Sequence, residues 1–466
     1  MPKLVATTFV VVFAFSVLPR SSGAAEWQSA SGFRSAELPV PAAGKTGFTR
    51  LPPSLTGITF TNYLSDIKAA ENQIRLSGSG VALGDVDGDG LCDIYLCQLE
   101  GPNALYRNLG HWKFEDITAS AGVACEDQYS TGAILVDVDG DGDLDLLVNA
   151  LGGGTRLFLN NGKGHFQEVA DAGLIRKFGS TSMALADIDG DGALDLYVAN
   201  YRTTTVRSTG LDILNINGRK VLKPEDRDQM YITPDGFLRE HGEIDALYRN
   251  DGKGHFTMLS WTDGRFVDER GRPLSAPPRD WGFSVMLRDI DGDGVPDIYV
   301  CNDFWSPDRI WINDGKGKFR ALARTALPDT SSFSMGVDFA DINRDGFDDF
   351  FVLDMLSPNH IRSITQSSRA GIRASPVGIT DERPQVEHNT LFLNRGDGTY
   401  AGVAQYAGVA ATEWSWCPVF LDVDLDGYED LLITTGYSFD TQDKDADERI
   451  KALGPWPREK VPFKLL

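Results

Sequence analysis

Positive charge is scarce in this 466-residue chain: 44 Lys and Arg stand against 67 Asp and Glu, for a formal net charge of −23. Nucleic acid demands a basic face to neutralise phosphates, so that class of partner is excluded. Cysteine is scarce too. Cys92, Cys97, Cys125, Cys301 and Cys417 are too few and too scattered to staple a chain of this length, and their odd number leaves at least one unpaired. Cys97 and Cys301 hold the same place in DIYLC and DIYVC, which points to strand packing rather than a redox pair, and no pairing is assigned. The six histidines, His111, His165, His241, His255, His360 and His388, are scattered, and His165 with His255 recurs at one place in a turn, the mark of a structural role. No nucleophile elbow, zinc pair or phosphate loop is present.

Long apolar runs are lacking beyond the first residues. MPKLVATTFVVVFAFSVLPRSSGAAEW carries Lys3, an apolar stretch from Leu4 to Leu18, and small residues at Ser22, Gly23, Ala24 and Ala25. The run is shorter than the roughly 20 residues that cross a bilayer. Its small-residue exit suits a signal peptide over residues 1–25, cleaved near Ala24 or Ala25. The expectation is an exported protein, secreted or periplasmic, with no membrane span in the mature chain. Residues 26–54 read as a linker.

What the chain has in abundance is one acidic pattern. DVDGDGLCD begins at Asp85, DVDGDGDLD at Asp137, DIDGDGALD at Asp187, DIDGDGVPD at Asp289, DINRDGFDD at Asp341 and DVDLDGYED at Asp422. The intervals of 52, 50, 102, 52 and 81 residues describe a unit of about 50 with extra material in the third and fifth copies. A second motif alternates with it: ALYRNLGHWKF, LFLNNGKGHF, ALYRNDGKGHF, IWINDGKGKF and LFLNRGDGTY, sharing Asn108, Asn160, Asn250, Asn313 and Asn394. Each reads as strand, Asn/Gly turn and strand, the signature of a hairpin. In undisturbed copies this asparagine follows the first aspartate by 23 or 24 residues, so a unit is two hairpins, or four short strands. That period fits a propeller blade. Flanking runs such as GVAL, GAILV, IYV and FFV are short and apolar enough for strands buried between neighbouring blades.

So many like charges in one loop require a cation among them. Calcium takes six to eight oxygens. In the first loop Asp85, Asp87, Asp89, the carbonyl of Leu91 and Asp93 supply positions 1, 3, 5, 7 and 9, with Gly90 at position 6 allowing the sharp turn. The same positions are Asp137, Asp139, Asp141, Asp143 and Asp145 in the second copy, and Asp187, Asp189, Asp191, Ala193 and Asp195 in the third. The fourth offers Asp289, Asp291, Asp293, Val295 and Asp297; the fifth Asp341, Asn343, Asp345, Phe347 and Asp349; the sixth Asp422, Asp424, Asp426, Tyr428 and Asp430. Up to six calcium ions are therefore expected, chiefly structural ones. An EF-hand would close with a bidentate Glu at position 12, but that position holds Leu96, Val148, Val198, Val300, Val352 and Ile433. Acidic turns without metal are the competing reading. The fifth site is expected to be weakest, because Asn343 removes a charge and Arg344 replaces the position-4 glycine, as Leu425 does in the sixth.

These loops and turns resemble the FG-GAP or VCBS repeats of integrin-α-like β-propellers. RDWGFSVMLRDIDGDGVPDIYVCNDFWSPDRIWINDGKGKF and WSWCPVFLDVDLDGYEDLL further resemble bacterial members of the cartilage-acidic-protein-like group, across about residues 55–440. The resemblance implies an all-β, calcium-bearing propeller of four-stranded blades, usually seven, often followed by a small UnbV/ASPIC-type domain. Two departures stand out. Six loops but five turns are present, residues 441–466 form an irregular tail, and TGITFTN at 56–62 reads as a closing strand without a turn of its own. Either six blades close with an irregular last one, or the chain is a fragment lacking a seventh; the fragment is the favoured expectation.

If the acidic loop joins strands 1 and 2 and the Asn/Gly turn joins strands 3 and 4, both lie on one face. Extra sequence at 201–245, 257–280 and 355–388 then falls on the opposite face, where a ligand is expected. Trp281, Asp303, Trp305, Trp414 and Trp416 are candidates there, for stacking on sugars or anchoring a protein; filling space between blades is their alternative role. The expected function is a binding or adhesion module for an extracellular protein or polysaccharide. The alternative is a calcium-dependent polysaccharide lyase or hydrolase with Arg202, Tyr231 or His241 as base.

Overall fold

A computed structural model describes residues 28–36, 47–233, 236–304, 306–366, 383–436 and 452. The expected signal peptide, the tail over 441–466 apart from residue 452, and Trp305 lie outside the described residues. Two compact units separate: Met1–Phe48 with Val423–Asp426, and Thr49–Asp422 with Gly427–Leu466. In the first, Gln28–Ala30 and Phe33–Ser35 form an antiparallel hairpin.

The second unit is all-β with a few short helices, and its sheets follow the sequence repeat. The first sheet is Val81–Gly84, Asp93–Leu96, Ala104–Asn108 and Phe114–Asp116, each strand antiparallel to the next. Four-stranded sheets of the same order start at Ser130, Ser180 and Val337. The sheet that starts at Gly282 gains a fifth strand, Phe266–Val267, which comes from the 257–280 insertion and pairs parallel with Phe319–Ala321. A sixth sheet pairs Ser415–Leu421 with Asp430–Thr435.

First strands of consecutive sheets lie side by side, and the core is the set of layers between them. Alternation decides which residue enters which layer: in the second sheet Leu146, Val148 and Phe158 pack toward the first, while Leu147 and Leu157 pack toward the third. Second strands such as Asp145–Ala150 and Asp297–Asn302 are buried along their whole length, which explains why they are continuous apolar runs. Each fully buried aliphatic or Phe side chain in these layers contributes about 1.5–3 kcal/mol. Cys97 and Cys301 are buried members of such layers, and all five cysteines are free.

The stretch 56–62 differs from expectation. Pro53–Thr56 is a helical turn ended by Gly57 at φ 81°, and no strand follows. The backbone beyond it is held by side chains instead of a strand edge: the Thr59 N–H donates to the Tyr106 hydroxyl at 3.4 Å, Tyr63 N–H to Gln98 Oε1 at 3.2 Å and Ser65 N–H to Glu100 Oε2 at 2.9 Å.

At the end away from the acidic loop, in the first, third, fourth and fifth sheets, a residue just before the third strand caps the end of the second, as Asp245 does by accepting the Asn200 N–H at 2.7 Å. Asn103 and Asn389 accept the N–H of Gln98 and Asp354 at 2.7 Å, and Asp308 accepts that of Asn302 at 2.8 Å. The polarity of the adjoining tyrosine follows the residue type. Asn103 Nδ2 donates to the Tyr95 hydroxyl, whereas the Tyr299 hydroxyl donates to Asp308 Oδ2 at 2.7 Å. Burial pushes Asp308 up to about 7. Its folded value lies above its unfolded one, so the native state holds the extra proton and stability falls as pH rises from about 4 through 7. Asp308→Asn keeps the acceptor and removes the titration. The melting temperature of the variant is expected to change less between pH 5 and pH 8 than that of the parent, and an equal change would refute this origin.

Candidate metal centre

Each acidic loop links a first strand to a second and is shaped by its own aspartates. In the first loop, Asp85 Oδ1 accepts the N–H of Gly88 at 2.8 Å and Oδ2 that of Gly90 at 2.8 Å, while Asp89 Oδ1 accepts the Leu91 N–H at 2.8 Å. The position-4 glycines require the left-handed region, with φ from 74° to 82°, and Arg344 and Leu425 adopt it at 61° and 60°. A residue with a Cβ pays about 1–2 kcal/mol there.

Position 9 opens the second strand and is the pivot. Asp93, Asp145, Asp195, Asp297 and Asp349 are all 0% exposed, unlike Asp430 in the sixth loop. In the first four, Oδ2 accepts the N–H of the position-2 residue at 2.8–3.2 Å. In all five, Oδ1 accepts the N–H of the turn asparagine at 2.7–2.9 Å. One carboxylate thus ties together the loop entry, the second strand and the end of the third.

Carboxylate oxygens at positions 1, 3 and 9 lie within 4.8 Å of one another in the first four loops: Asp85, Asp87, Asp93; Asp137, Asp139, Asp145; Asp187, Asp189, Asp195; and Asp289, Asp291, Asp297. Burial, with a smaller contribution from the neighbouring carboxylates, pushes Asp145 and Asp195 up to about 6 and Asp297 to about 7, and raises Asp93. Asp189 Oδ1 is buried and makes no hydrogen bond. An all-oxygen set of this kind fits a hard divalent cation. The fifth loop differs, because Asn343 Nδ2 donates to Asp345 Oδ2 at 3.0 Å. In the sixth, the Gly427 N–H donates to Asp422 Oδ2 at 2.7 Å, repeating the position-1 pattern.

Sequence reading missed the cationic neighbours. Arg107 and Arg249, the arginines of the two ALYRN strands, stand 3.8 Å from Asp87 Oδ2 and Asp189 Oδ2. Their recurrence in that motif was the available signal.

At the other end of the sheets the expected ligand residues divide. Trp281 is 3% exposed, packs edge-on against Tyr201 at 4.7 Å and donates Nε1 to the Glu240 carbonyl at 3.2 Å. Asp303 is buried under the Tyr201 hydroxyl at 2.9 Å and is pushed up by burial to about 7. Both fill space between sheets, so neither presents an open face. Trp414 and Trp416 are half-buried and stacked at 6.1 Å. Trp416, Tyr63, Asp66, Arg75 and Gly436 are among the residues lining a groove of about 590 Å³. Tyr63 is 57% exposed. In the 201–245 insertion, Tyr231 stacks on His241 at 4.4 Å, and Arg202 Nη1 donates to the His241 carbonyl at 2.8 Å. Burial, then the charges of Arg279 and Arg202, lower His241 to about 4. Arg202 is itself buried, 3.4 Å from Glu240.

Four-stranded antiparallel sheets, each opened by a carboxylate-lined loop, define a repeat protein built around those loops. FG-GAP-like repeats match residues 85–148, 137–198, 289–352 and 378–433, half of the chain, and the chain belongs to that family. It is also similar to cartilage acidic protein 1: 36% identical over 96 residues to that of Xenopus tropicalis and 33% over 111 residues to that of Homo sapiens. Those stretches are 20% and 23% of this chain, and the chain spans 15% and 17% of those relatives. Among solved structures, a lectin of Agrocybe aegerita that recognises non-reducing terminal N-acetylglucosamine aligns over 75% of this chain and 73% of its own, at 18% identity and a TM-score of 0.39. The V. cholerae biofilm matrix protein Bap1 aligns over 78% and 67%, at 11% identity and a TM-score of 0.31.

The raised position-9 carboxylates predict how the loops respond to pH. With chelator, the native state binds protons that the unfolded chain has already released, so the melting temperature is expected to fall as pH rises from 5 to 8. A saturating divalent cation should raise the melting temperature and flatten that slope, each filled loop adding about 2.7 kcal/mol at roughly 100 times its Kd. Identical melts in chelator and cation would exclude metal from the loops. Asn343→Asp should enlarge the cation-dependent rise.

Proposed function

We propose that this protein is an exported, calcium-stabilised β-propeller that serves as a binding module, in adhesion or recognition, for an extracellular protein or polysaccharide. Residues 1–25 would be its signal peptide, 26–54 a linker, and about 55–440 the propeller. The observation that carries this reading is the separation of the two ends of the sheets. Convergent carboxylates repeat at one end with little variation in the first four loops, while the 201–245 insertion leaves and rejoins its sheet at the other, where the groove also lies.

Calcium is the favoured cation because the donors are all oxygen and sit on a loop able to offer backbone carbonyls as well as carboxylates. Asp85, Asp87, Asp93 and their counterparts in the next three copies would hold the ion. Positions 5 and 7 would complete the shell. When bound, the ion neutralises the buried carboxylates and locks the loop; it is not assigned a reacting role. Exported modules commonly hold calcium with Kd of about 10⁻⁴ to 10⁻³ M.

The partner is assigned to the end away from the loops, where Tyr63 and Trp416 offer rings at a groove that also contains Asp66 and Arg75. Aromatic rings beside hydrogen-bonding groups suit a saccharide. The test incubates purified mature protein, with calcium and with chelator, against a panel of extracellular polysaccharides, scoring retention and newly formed chain ends. Calcium-dependent retention without new ends is expected. Tyr63→Ala should weaken it about tenfold, the loss of about 1.4 kcal/mol, at an unchanged melting temperature. New chain ends would replace the binding module with a lyase or hydrolase and direct attention to Tyr231 and His241. Neither retention nor cleavage would leave a protein partner.

A further inference from the structure

The turn asparagines reach in two directions. Asn160 donates Nδ2 to the Leu144 carbonyl in its own loop at 3.0 Å and to the Val86 carbonyl in the preceding sheet's loop at 2.8 Å. Asn313 does the same with Pro296 at 3.1 Å and Ile188 at 2.9 Å. Asn250 reaches back to the Val138 carbonyl at 2.8 Å. The backward contact of Asn394 to Ile290 is long, at 3.5 Å, and the Tyr400 hydroxyl bonds that carbonyl at 2.9 Å.

The accepting residues Val86, Val138, Ile188 and Ile290 are the position-2 residues of their loops, at most 2% exposed. Their N–H groups are held by the position-9 aspartates of the same loops. A single hydrogen-bonded chain therefore runs from loop to loop. From Asp145 it passes through the N–H and then the carbonyl of Val138 to Asn250, whose own N–H bonds Asp195, then through Ile188 to Asn313 and Asp297.

We infer that the cation loops are coupled, filling of one raising the affinity of its neighbours, and that Asn160, Asn250 and Asn313 are the positioning residues that transmit the coupling. This rests on the calcium reading above. Positions 1, 3 and 9, drawn together around a cation, would fix the position-2 residue between them through its N–H. The carbonyl of that residue, in the next peptide group, would then present a fixed acceptor to the next asparagine, whose backbone N–H orients the next position-9 carboxylate. The ordering cost of the second loop is thereby partly met before its ion arrives. Coupling of about fivefold or more between adjacent sites is the expected scale.

Asn108 supplies the control. It holds its own loop, Nδ2 to the Cys92 carbonyl at 2.9 Å and N–H to Asp93, but bridges no preceding sheet among the described residues. Full-length mature protein, stripped with chelator, is titrated with calcium by calorimetry. The wild type should fill with a Hill coefficient above 1. Asn250→Ala should take up the same number of ions with a coefficient nearer 1, while Asn108→Ala keeps the wild-type steepness. The Val86 and Ile188 carbonyls also accept the backbone N–H of Gly164 at 2.9 Å and of Gly317 at 3.2 Å, so Asn160→Ala and Asn313→Ala, used should Asn250→Ala fail to fold, are expected to lower the coefficient by less.

Unchanged steepness in the bridging variants overturns the inference, as does an equal loss in Asn108→Ala, which would mean a merely structural role. A wild-type coefficient of 1 with measurable uptake overturns the coupling while leaving the calcium sites. Absence of any uptake removes both.

Discussion

Everything at the loop end depends on a carboxylate buried at the first residue of a second strand. Asp93, Asp145, Asp195, Asp297 and Asp349 sit where water cannot screen them, and a bare carboxylate in such a place is costly. The backbone offsets part of that cost by aiming the turn-asparagine N–H at each, and the position-2 N–H at the first four. These bonds also fix where the loop starts and where the third strand stops. In the first four loops the aspartates at positions 1 and 3 bring further carboxylate oxygens within 4.8 Å, so the same geometry that folds the sheet also gathers an oxygen set that could hold a cation.

The opposite end answers a similar problem with protons and phenols. Asp303 and Asp308 are buried, and a tyrosine hydroxyl donates to each, as does a backbone N–H. Burial pushes both groups up to about 7, which favours the protonated form relative to an exposed carboxyl. This end tolerates insertions such as the two extra hairpins between the second and third strands of the third sheet, whereas the 257–280 insertion, expected here too, reaches the loop end, where Arg265 Nη1 donates to the Gly317 carbonyl at 3.1 Å before the added parallel strand begins.

The sheets were legible because their determinants are local and repeated. Asp at positions 1 and 9, Gly at 6 and Asn at the turn are each required by a bond that recurs in copy after copy. TGITFTN was misread because its pattern is that of a strand while its partners are the side chains of Tyr106, Gln98 and Glu100, which local sequence cannot reveal. Trp281 takes the alternative role the sequence left open, filling space between sheets. Its place at a strand end suggested exposure, but the insertion over 201–245 folds back so that the Glu240 carbonyl meets its indole. The capping residues Asn103, Asp308 and Asn389 escaped notice because Asn and Asp perform the same task with opposite tyrosine polarity, so no single residue type recurs.

The departures among the loops follow the same logic as their regularity. The four loops that keep D-x-D-G-D-G are those whose position-2 carbonyl is held by the following sheet, through Asn160, Asn250, Asn313, or Asn394 with Tyr400. Such a loop is clamped from both sides, and its entry peptide has little freedom to absorb a larger residue. The fifth loop is followed by a sheet with two described strands, and it is the one carrying both Asn343 and Arg344. There a different contact spans the junction: the Arg344 guanidinium lies 3.9 Å from the centre of the Tyr428 ring in the sixth loop. A cation over an aromatic face contributes about 0.5–1 kcal/mol at exposed sites, enough to offset part of the left-handed strain at Arg344. Among the described residues this junction carries an exposed cation–π contact, and its loop holds an amide that donates to Asp345 where the other loops hold a carboxylate.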